Sequence, residues 1–229
     1  MLTRLLRYAD KRFDVSGLAD DVGDDCKSPE HKAGVVVRSL LLMLVVRLGS
    51  LNALERPGAG RLSRWIGGKL PSADALGRAA CGLHADDVRG MVHRSYSKMR
   101  RGKNISALYG HRVLVLDGHE FYCSNLRSCP DCQKRTITTK RGEHTQYYHR
   151  CVVAMLVHGK GRLLLDVELQ QPGEDEIAAA MRLLLRLLHT SLDAFDVISG
   201  DALYLNLPPD RRVRPPAVVP LLGPHHRLA

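Results

Sequence analysis

Apolar residues along this chain fall into runs of different character, and each kind predicts a different element. The densest, Val35 to Leu48, is hydrophobic on nearly every face and interrupted by Arg38 and Arg47. It predicts a core helix that opens at Ser28-Pro29-Glu30, with a capping serine and a proline in the first turn, and stops at Gly49. Before it, residues 1–27 carry one short helix and then an acidic irregular stretch. Leu70-Pro71-Ser72-Ala73-Asp74 predicts a turn and cap leading into a short helix that ends near Gly82. Asp86-Asp87 opens another helix that runs to Arg101, acids in its first turn and bases in its last, as the helix dipole favours.

From residue 111 the period changes. Val113-Leu114-Val115-Leu116 is apolar without alternation, the signature of a strand buried on both faces, and it ends abruptly in Asp117-Gly118. Gln146 to Val157 predicts a second strand, and Gly159-Lys160-Gly161 turns it into a third over Arg162–Leu169. Pro172-Gly173 ends that strand. Glu174-Asp175-Glu176 opens a helix to about Leu192, with Ile177, Met181, Leu184, Leu185 and Leu188 at helical spacing. Phe195 to Gly200 is a fourth strand, which delivers Asp201. The expected order is strand-strand-strand-helix-strand, with an aspartate closing the first and the fourth. If those two strands lie side by side and parallel, Asp117 and Asp201 converge. The last 24 residues hold six prolines, a density that opposes helix and central strand alike and predicts a disordered tail.

The 229 residues carry a formal net charge of +10, which points to a polyanionic partner, nucleic acid before anionic membrane. The excess is uneven: +8 over residues 1–110, −1 over 111–205 and +3 in the tail. The basic end of the helix before residue 105, with Lys98, Arg100, Arg101 and Lys103, is either a phosphate-contacting patch or a solvated helix end. The basic stretch from Lys134-Arg135 to Lys140-Arg141 has the same two readings. No stretch is long and apolar enough to span a bilayer, and the charged N-terminus is not a signal peptide, so a cytoplasmic protein is expected. Six cysteines in that setting are reduced thiols or metal ligands.

Two strand-ending aspartates in a basic protein suit Mg²⁺ or Mn²⁺, which favour carboxylate oxygens and retain waters for a phosphate substrate. Two-metal phosphodiester chemistry usually takes a third carboxylate, and Glu120, Asp166 and Glu168 are the candidates. A second constellation is Cys129-x-x-Cys132, a metal-knuckle spacing that Cys123 and a histidine would complete as a tetrahedral Zn²⁺ site. His144 is the favoured fourth ligand, His149 is turned toward the acidic site, and Cys151 is a buried strand residue. A loop of reduced cysteines between strands is the alternative.

Val115-Leu116-Asp117-Gly118-His119-Glu120, Tyr147-Tyr148-His149, Leu165-Asp166-Val167-Glu168, Pro172-Gly173-Glu174-Asp175-Glu176 and Asp201-Ala202-Leu203-Tyr204 form a spaced set. With Leu70-Pro71-Ser72-Ala73-Asp74 and Arg100-Arg101-Gly102-Lys103 upstream, it resembles a bacterial insertion-sequence DDE transposase across roughly residues 35–205. The resemblance implies an α/β protein. A helical, basic, DNA-binding region over 1–105 would precede a partial ribonuclease H-like core over 106–205, with a cysteine-containing insertion at 121–145 and a Pro/Arg-rich disordered tail over 206–229. It implies nucleoid association, insertion-sequence ends as the DNA partner, homodimerisation left open, and phosphodiester cleavage and strand transfer with Mg²⁺ or Mn²⁺. Asp117 and Asp201 match the first two catalytic acids. The family's third, a glutamate on a later helix, has no counterpart, since Asp210 is the only acid beyond Asp201. A truncated, impaired enzyme is therefore expected; the alternative is a non-catalytic DNA-binding remnant that competes for DNA ends.

Overall fold

The computed structural model of the chain describes residues 2–55, 63–140, 142–159, 161–190, 194–206 and 217–220. The protein is a mixed α/β chain that divides into two compact units, residues 1–104 and 105–229. The first is helical: α1 (Leu2–Phe13), α2 (Val15–Asp20), α3 (Ala33–Val45), α4 (Ser63–Ile66), α5 (Ala73–Cys81) and α6 (Ala85–Arg101). The second carries β1 (Val113–Ser124), β2 (Gln133–Thr139), β3 (Gly142–His158), β4 (Gly161–Leu169), α7 (Glu176–Thr190), β5 (Val197–Gly200) and β6 (Ala217–Pro220).

In the helical unit α3 is the core helix, with Val35, Val36 and Leu42 packed against Leu6, Leu54, Ile66 and Leu76. It starts at Ala33, later than the Ser28-Pro29 signal, with Lys32 in extended backbone at its N-cap, and Asp20 at the end of α2 packs on Gly34, where a larger residue would collide. Its stop is also earlier than Gly49: Arg47 takes the left-handed conformation (φ 55°) just past the helix and the Leu48 N–H donates to the Met43 carbonyl. The charge that interrupts its apolar run is used inside. Buried Arg38 donates through Nε to the Ile66 carbonyl (2.7 Å) and through Nη1 to Asp20 (2.7 Å) and the Ser16 carbonyl (3.1 Å). A buried guanidinium is tolerable when its donors are satisfied in this way. The expected Ser72 cap holds, accepting from the Ala75 N–H.

The sheet runs β2-β3-β1-β5-β6, with β4 also on β3. The long strand β3 pairs antiparallel with β1 on one edge; along its other edge β2 takes the first half and β4 the second. β5 lies parallel to β1, and β6 parallel to β5. Leu114, Leu116, Val152, Ala154 and Leu156 alternate onto one buried face, and α7 supplies Ala179, Ala180, Leu183, Leu184 and Leu187 as a buried stripe.

Two expectations are corrected. Residues 121–145 are not one loop: 125–132, which hold Cys129 and Cys132, are loop, but β1 extends to Ser124 and β2 forms a hairpin with β3. Both faces of β2 are polar (Gln133, Lys134, Arg135, Thr136), so it shows no apolar alternation, and its threonines and Ile137 were the only strand signal. The tail is not wholly irregular: Ala217–Pro220 adds an edge strand, where Pro220 at the end gives up a donor at little cost. The remainder of the tail, 207–216 and 221–229, lies outside the described residues.

Arginines fasten α7 to β4. Arg186 donates Nε to Asp166 (2.7 Å) and Nη1 to Glu168 (2.5 Å), and Arg182 pairs with Glu168 (3.1 Å) and Glu174. The Asp166 side chain is fully buried. A bulge at Leu165 breaks the alternation of β4 and turns both Leu165 and Asp166 inward. Arg186→Met should therefore cost about 2–4 kcal/mol in denaturant unfolding, because it removes the cationic partner of a buried carboxylate whose Oδ1 accepts from the Val167 N–H. A loss below about 0.5 kcal/mol would show that Asp166 finds another partner.

A second ion pair sets the strand register. The Arg112 backbone N–H and Nε donate to Asp196 Oδ2 (3.0 and 3.1 Å), its Nη2 donates to Oδ1 (2.7 Å), and the Asp196 N–H donates back to the Arg112 carbonyl (2.8 Å). The Arg112 guanidinium holds the Asp196 carboxyl below its ordinary value of 3.8. The stabilisation is therefore complete above that value and disappears as pH falls through the lowered one. Asp196→Asn should cost about 1 kcal/mol at neutral pH after solvent screening, and should flatten the acid limb of a stability-versus-pH curve. An unchanged acid limb would contradict this.

Candidate functional site

Val113, Leu114 and Val115 of β1 face Val197, Ile198 and Ser199 of β5, the same offset of 84 residues as the Arg112–Asp196 pair. Carried two residues past the last of these pairs, that offset runs through Asp117, inside β1, and Asp201, the first residue after β5. Both residues are exposed. Among the described residues no hydrogen bond or ion pair engages the Asp117 side chain. Asp201 Oδ1 accepts from the Leu203 N–H (2.9 Å), capping the one-turn helix Ala202–Asn206.

That turn swings Tyr204 back beneath the strand ends. Its ring lies 2.5 Å from where a Cβ on Gly200 would stand, so only glycine lets it approach. The buried Tyr204 hydroxyl donates to Glu176 Oε1 (2.6 Å). Burial pushes the Tyr204 phenol up, and next in order come the hydrogen bond to Glu176 and the charges of Glu176, Asp201 and Asp117. One phenol thus senses three carboxylates. Glu176, the first residue of α7, also places its carboxylate where a Cβ on Gly118 would stand, so any larger residue there must push it aside. Sequence reasoning missed Glu176 because it looked like a helix-opening acid; the signal was Gly118 next to Asp117, space kept for something large.

The three third-acid candidates are committed elsewhere. Asp166 and Glu168 are neutralised by Arg186 and Arg182. Glu120 accepts from both terminal nitrogens of Arg135 (2.9 Å each) and from Arg150 (3.3 Å), and Arg135, then Arg150, holds its carboxyl down. Arg135 also stacks on Tyr148, so the basic stretch 134–141 is in part built into the hairpin; Arg141 lies outside the described residues.

The cysteine expectation changes one ligand and loses another. Cys129, Cys132 and His149 come together; Cys123 and His144 are not in the group. His144 is five residues before His149 on one regular strand, hence on the opposite face and about 16 Å away along it. Cys123 pairs with Tyr148, and Tyr122 with His149, so Cys123 also points to the other face. His149 therefore serves the cysteines rather than the acids, and Cys151 is buried in β3 as expected. Burial pushes the Cys129 thiol up, and the Cys132 sulfur beside it adds to the effect.

In the helical unit, Lys11, Arg12, Lys98 and Arg101 line a cleft of about 410 Å³ where the ends of α1 and α6 meet. Lys98 is tied to Asp14 (2.9 Å), whereas Arg100, Arg101 and Lys103 are exposed.

Gly118→Ala should push the Glu176 carboxylate aside at small cost in stability, because the end of a flexible side chain can move. Gly200→Ala meets a buried ring and should cost about 1–3 kcal/mol. Equal losses in thermal unfolding would contradict the placement of Tyr204 and Glu176.

No family model, no curated protein and no solved structure matches this chain.

Proposed function

We propose that this chain is a DNA-processing protein of the insertion-sequence DDE transposase type, with Asp117 and Asp201 holding Mg²⁺ or Mn²⁺ for phosphodiester cleavage and strand transfer. The observation that carries the reading is the in-register parallel pairing of β1 and β5, whose offset of 84 residues, continued two residues, runs through Asp117 and Asp201. The strand order β4-β3-β1-β5-β6, antiparallel through β1 and parallel beyond it, supports a ribonuclease H-like core, with the β2 hairpin as an addition to it.

The donor set suits a hard divalent cation: carboxylate oxygens, exposed, with Asp117 free of any cationic partner among the described residues. Divalent ions there would supply Lewis acidity to the attacking and departing oxygens of an in-line displacement. The chain's own residues position and tune. Asp117, held inside β1, and Asp201, just past β5, provide the ligands. Glu176 adds a third carboxylate, braced by the Tyr204 hydroxyl, and Gly118 keeps its seat open. No protein nucleophile is required, so no covalent protein–DNA link is expected.

The basic cleft between α1 and α6 favours a second reading, in which the helical unit grips DNA and catalysis is absent. Its signature is salt-dependent binding, each phosphate contact adding about 0.9 to the slope of log K against log salt.

Calorimetric titration with Mn²⁺, run beside nicking of supercoiled plasmid, tests the proposal. Asp117→Asn/Asp201→Asn should abolish both, and Glu176→Gln should weaken Mn²⁺ binding about 10-fold or more. Equal Mn²⁺ binding by wild type and the double variant would overturn the catalytic assignment and leave the DNA-binding reading.

A further inference from the structure

The Cys129, Cys132 and His149 group stands apart from the acidic site, and the proposed phosphodiester chemistry does not use it. Its geometry is that of a metal knuckle. The Sγ atoms of Cys129 and Cys132 lie 3.6 Å apart, and each lies 3.2 Å from His149 Nε2. A tetrahedral Zn²⁺ with Zn–S of about 2.3 Å and Zn–N of about 2.05 Å demands edges of about 3.8 Å between sulfurs and about 3.6 Å from sulfur to nitrogen. The three donor atoms are already within about 0.4 Å of those edges.

Features outside the donor atoms hold them in place. The Cys129 backbone N–H donates to Cys132 Sγ (3.2 Å) and the Asp131 backbone N–H bonds to the Cys129 sulfur; such donors stabilise thiolate charge once the protons leave. The Cys132 N–H donates to the Cys129 carbonyl (3.2 Å), closing the Cys-Pro-Asp-Cys turn. The His149 ring is stacked on Phe121 (centroids 5.8 Å apart, planes at 23°) and tilted against Tyr122 (5.6 Å), which aims Nε2 at both sulfurs. Tyr122 is itself tied by its hydroxyl to the Arg127 carbonyl (3.0 Å), inside the same connection. Soft thiolates with an imidazole select Zn²⁺ over the hard cations of a carboxylate site.

We propose that Cys129 Sγ, Cys132 Sγ and His149 Nε2 bind one Zn²⁺, with solvent in the fourth position. The ion ties the connection between β1 and β2 to the middle of β3, and so holds the polar hairpin that has little apolar surface of its own. No other His, Cys, Asp or Glu joins the group among the described residues, and Cys129 is exposed, which leaves the fourth position to water. Binding releases the two thiol protons to solvent and leaves no redox change.

The test is metal content of the full chain after extensive dialysis, by elemental emission, together with the visible spectrum after Co²⁺ replacement. The expected result is one zinc per chain and intense tetrahedral Co²⁺ bands with thiolate charge transfer. Both should be lost in Cys129→Ser/Cys132→Ser and in His149→Ala, and kept in His144→Ala and Cys123→Ser. Thiol titration of the native wild type covers the case of a variant that does not fold: chelator should unmask two further reactive cysteines. Absence of zinc with all thiols equally reactive, a Cys129–Cys132 disulfide in place of the metal, or zinc loss in His144→Ala would each overturn the proposal. Asp117→Asn/Asp201→Asn should retain its zinc, so failure of the acidic site and failure of the knuckle are separately visible.

Discussion

Arg112 and Asp196 meet at the entry to two neighbouring parallel strands, and the functional geometry of the second unit lies downstream of that meeting. The pair is bidentate and reinforced by backbone bonds in both directions, so it sets register as well as adjacency. A slip of one residue would turn every side chain of β5 to the other face and separate Asp201 from Asp117. Five residues beyond the clasp on each strand stand the two aspartates, and the strands between are too short to lose the offset. An exposed ion pair is worth little as stabilisation; its value here is in specifying which pairing forms.

Around that register the carboxylates of the unit divide by partner. Asp166, Glu168 and Glu120 are each met by arginine and hold α7 and the hairpin in place. Asp117, Asp201 and Glu176 have no arginine or lysine partner among the described residues; Glu176 holds the buried Tyr204 hydroxyl, and the charges of Asp201 and Asp117 also raise that phenol. Acidic groups left without cations beside each other repel, and a structure that keeps them so is suited to receive positive charge. The sulfur and imidazole donors sit on the opposite kind of support, a polar hairpin with almost no core, where a metal would replace missing apolar burial.

Much of this was legible in the sequence. The strand that carries Asp117, the later strand before Asp201, the Ser72 cap and a helix over α7 each follow from local chemistry and appear in the structure. But β1 runs past Asp117 to Ser124, and α7 buries Ala179, Ala180, Leu183, Leu184 and Leu187, sharing only Leu184 with the expected positions. What was hidden depended on non-local pairing. β2 is polar on both faces, so its strand character comes from hydrogen bonding to β3 rather than from burial. The choice of His149 over His144 follows from strand parity, which could be read only once β3 was known to run unbroken past both. Glu176 looked like an ordinary helix-opening acid, and nothing short of the strand register could bring it to Gly118. The β6 strand was masked by averaging over a proline-rich tail in which Ala217-Val218-Val219 is locally apolar and β-branched.

On the proposed reading, the β1–β5 register builds a divalent-cation site from Asp117 and Asp201. A crystal structure of the protein soaked in Mn²⁺, with anomalous scattering recorded from the metal, addresses it most directly. An anomalous peak is expected within coordination distance, about 2.0–2.2 Å, of a carboxylate oxygen from each aspartate, with Glu176 turned toward it. An ordered Asp117 and Asp201 with no peak between them at saturating Mn²⁺ would contradict it.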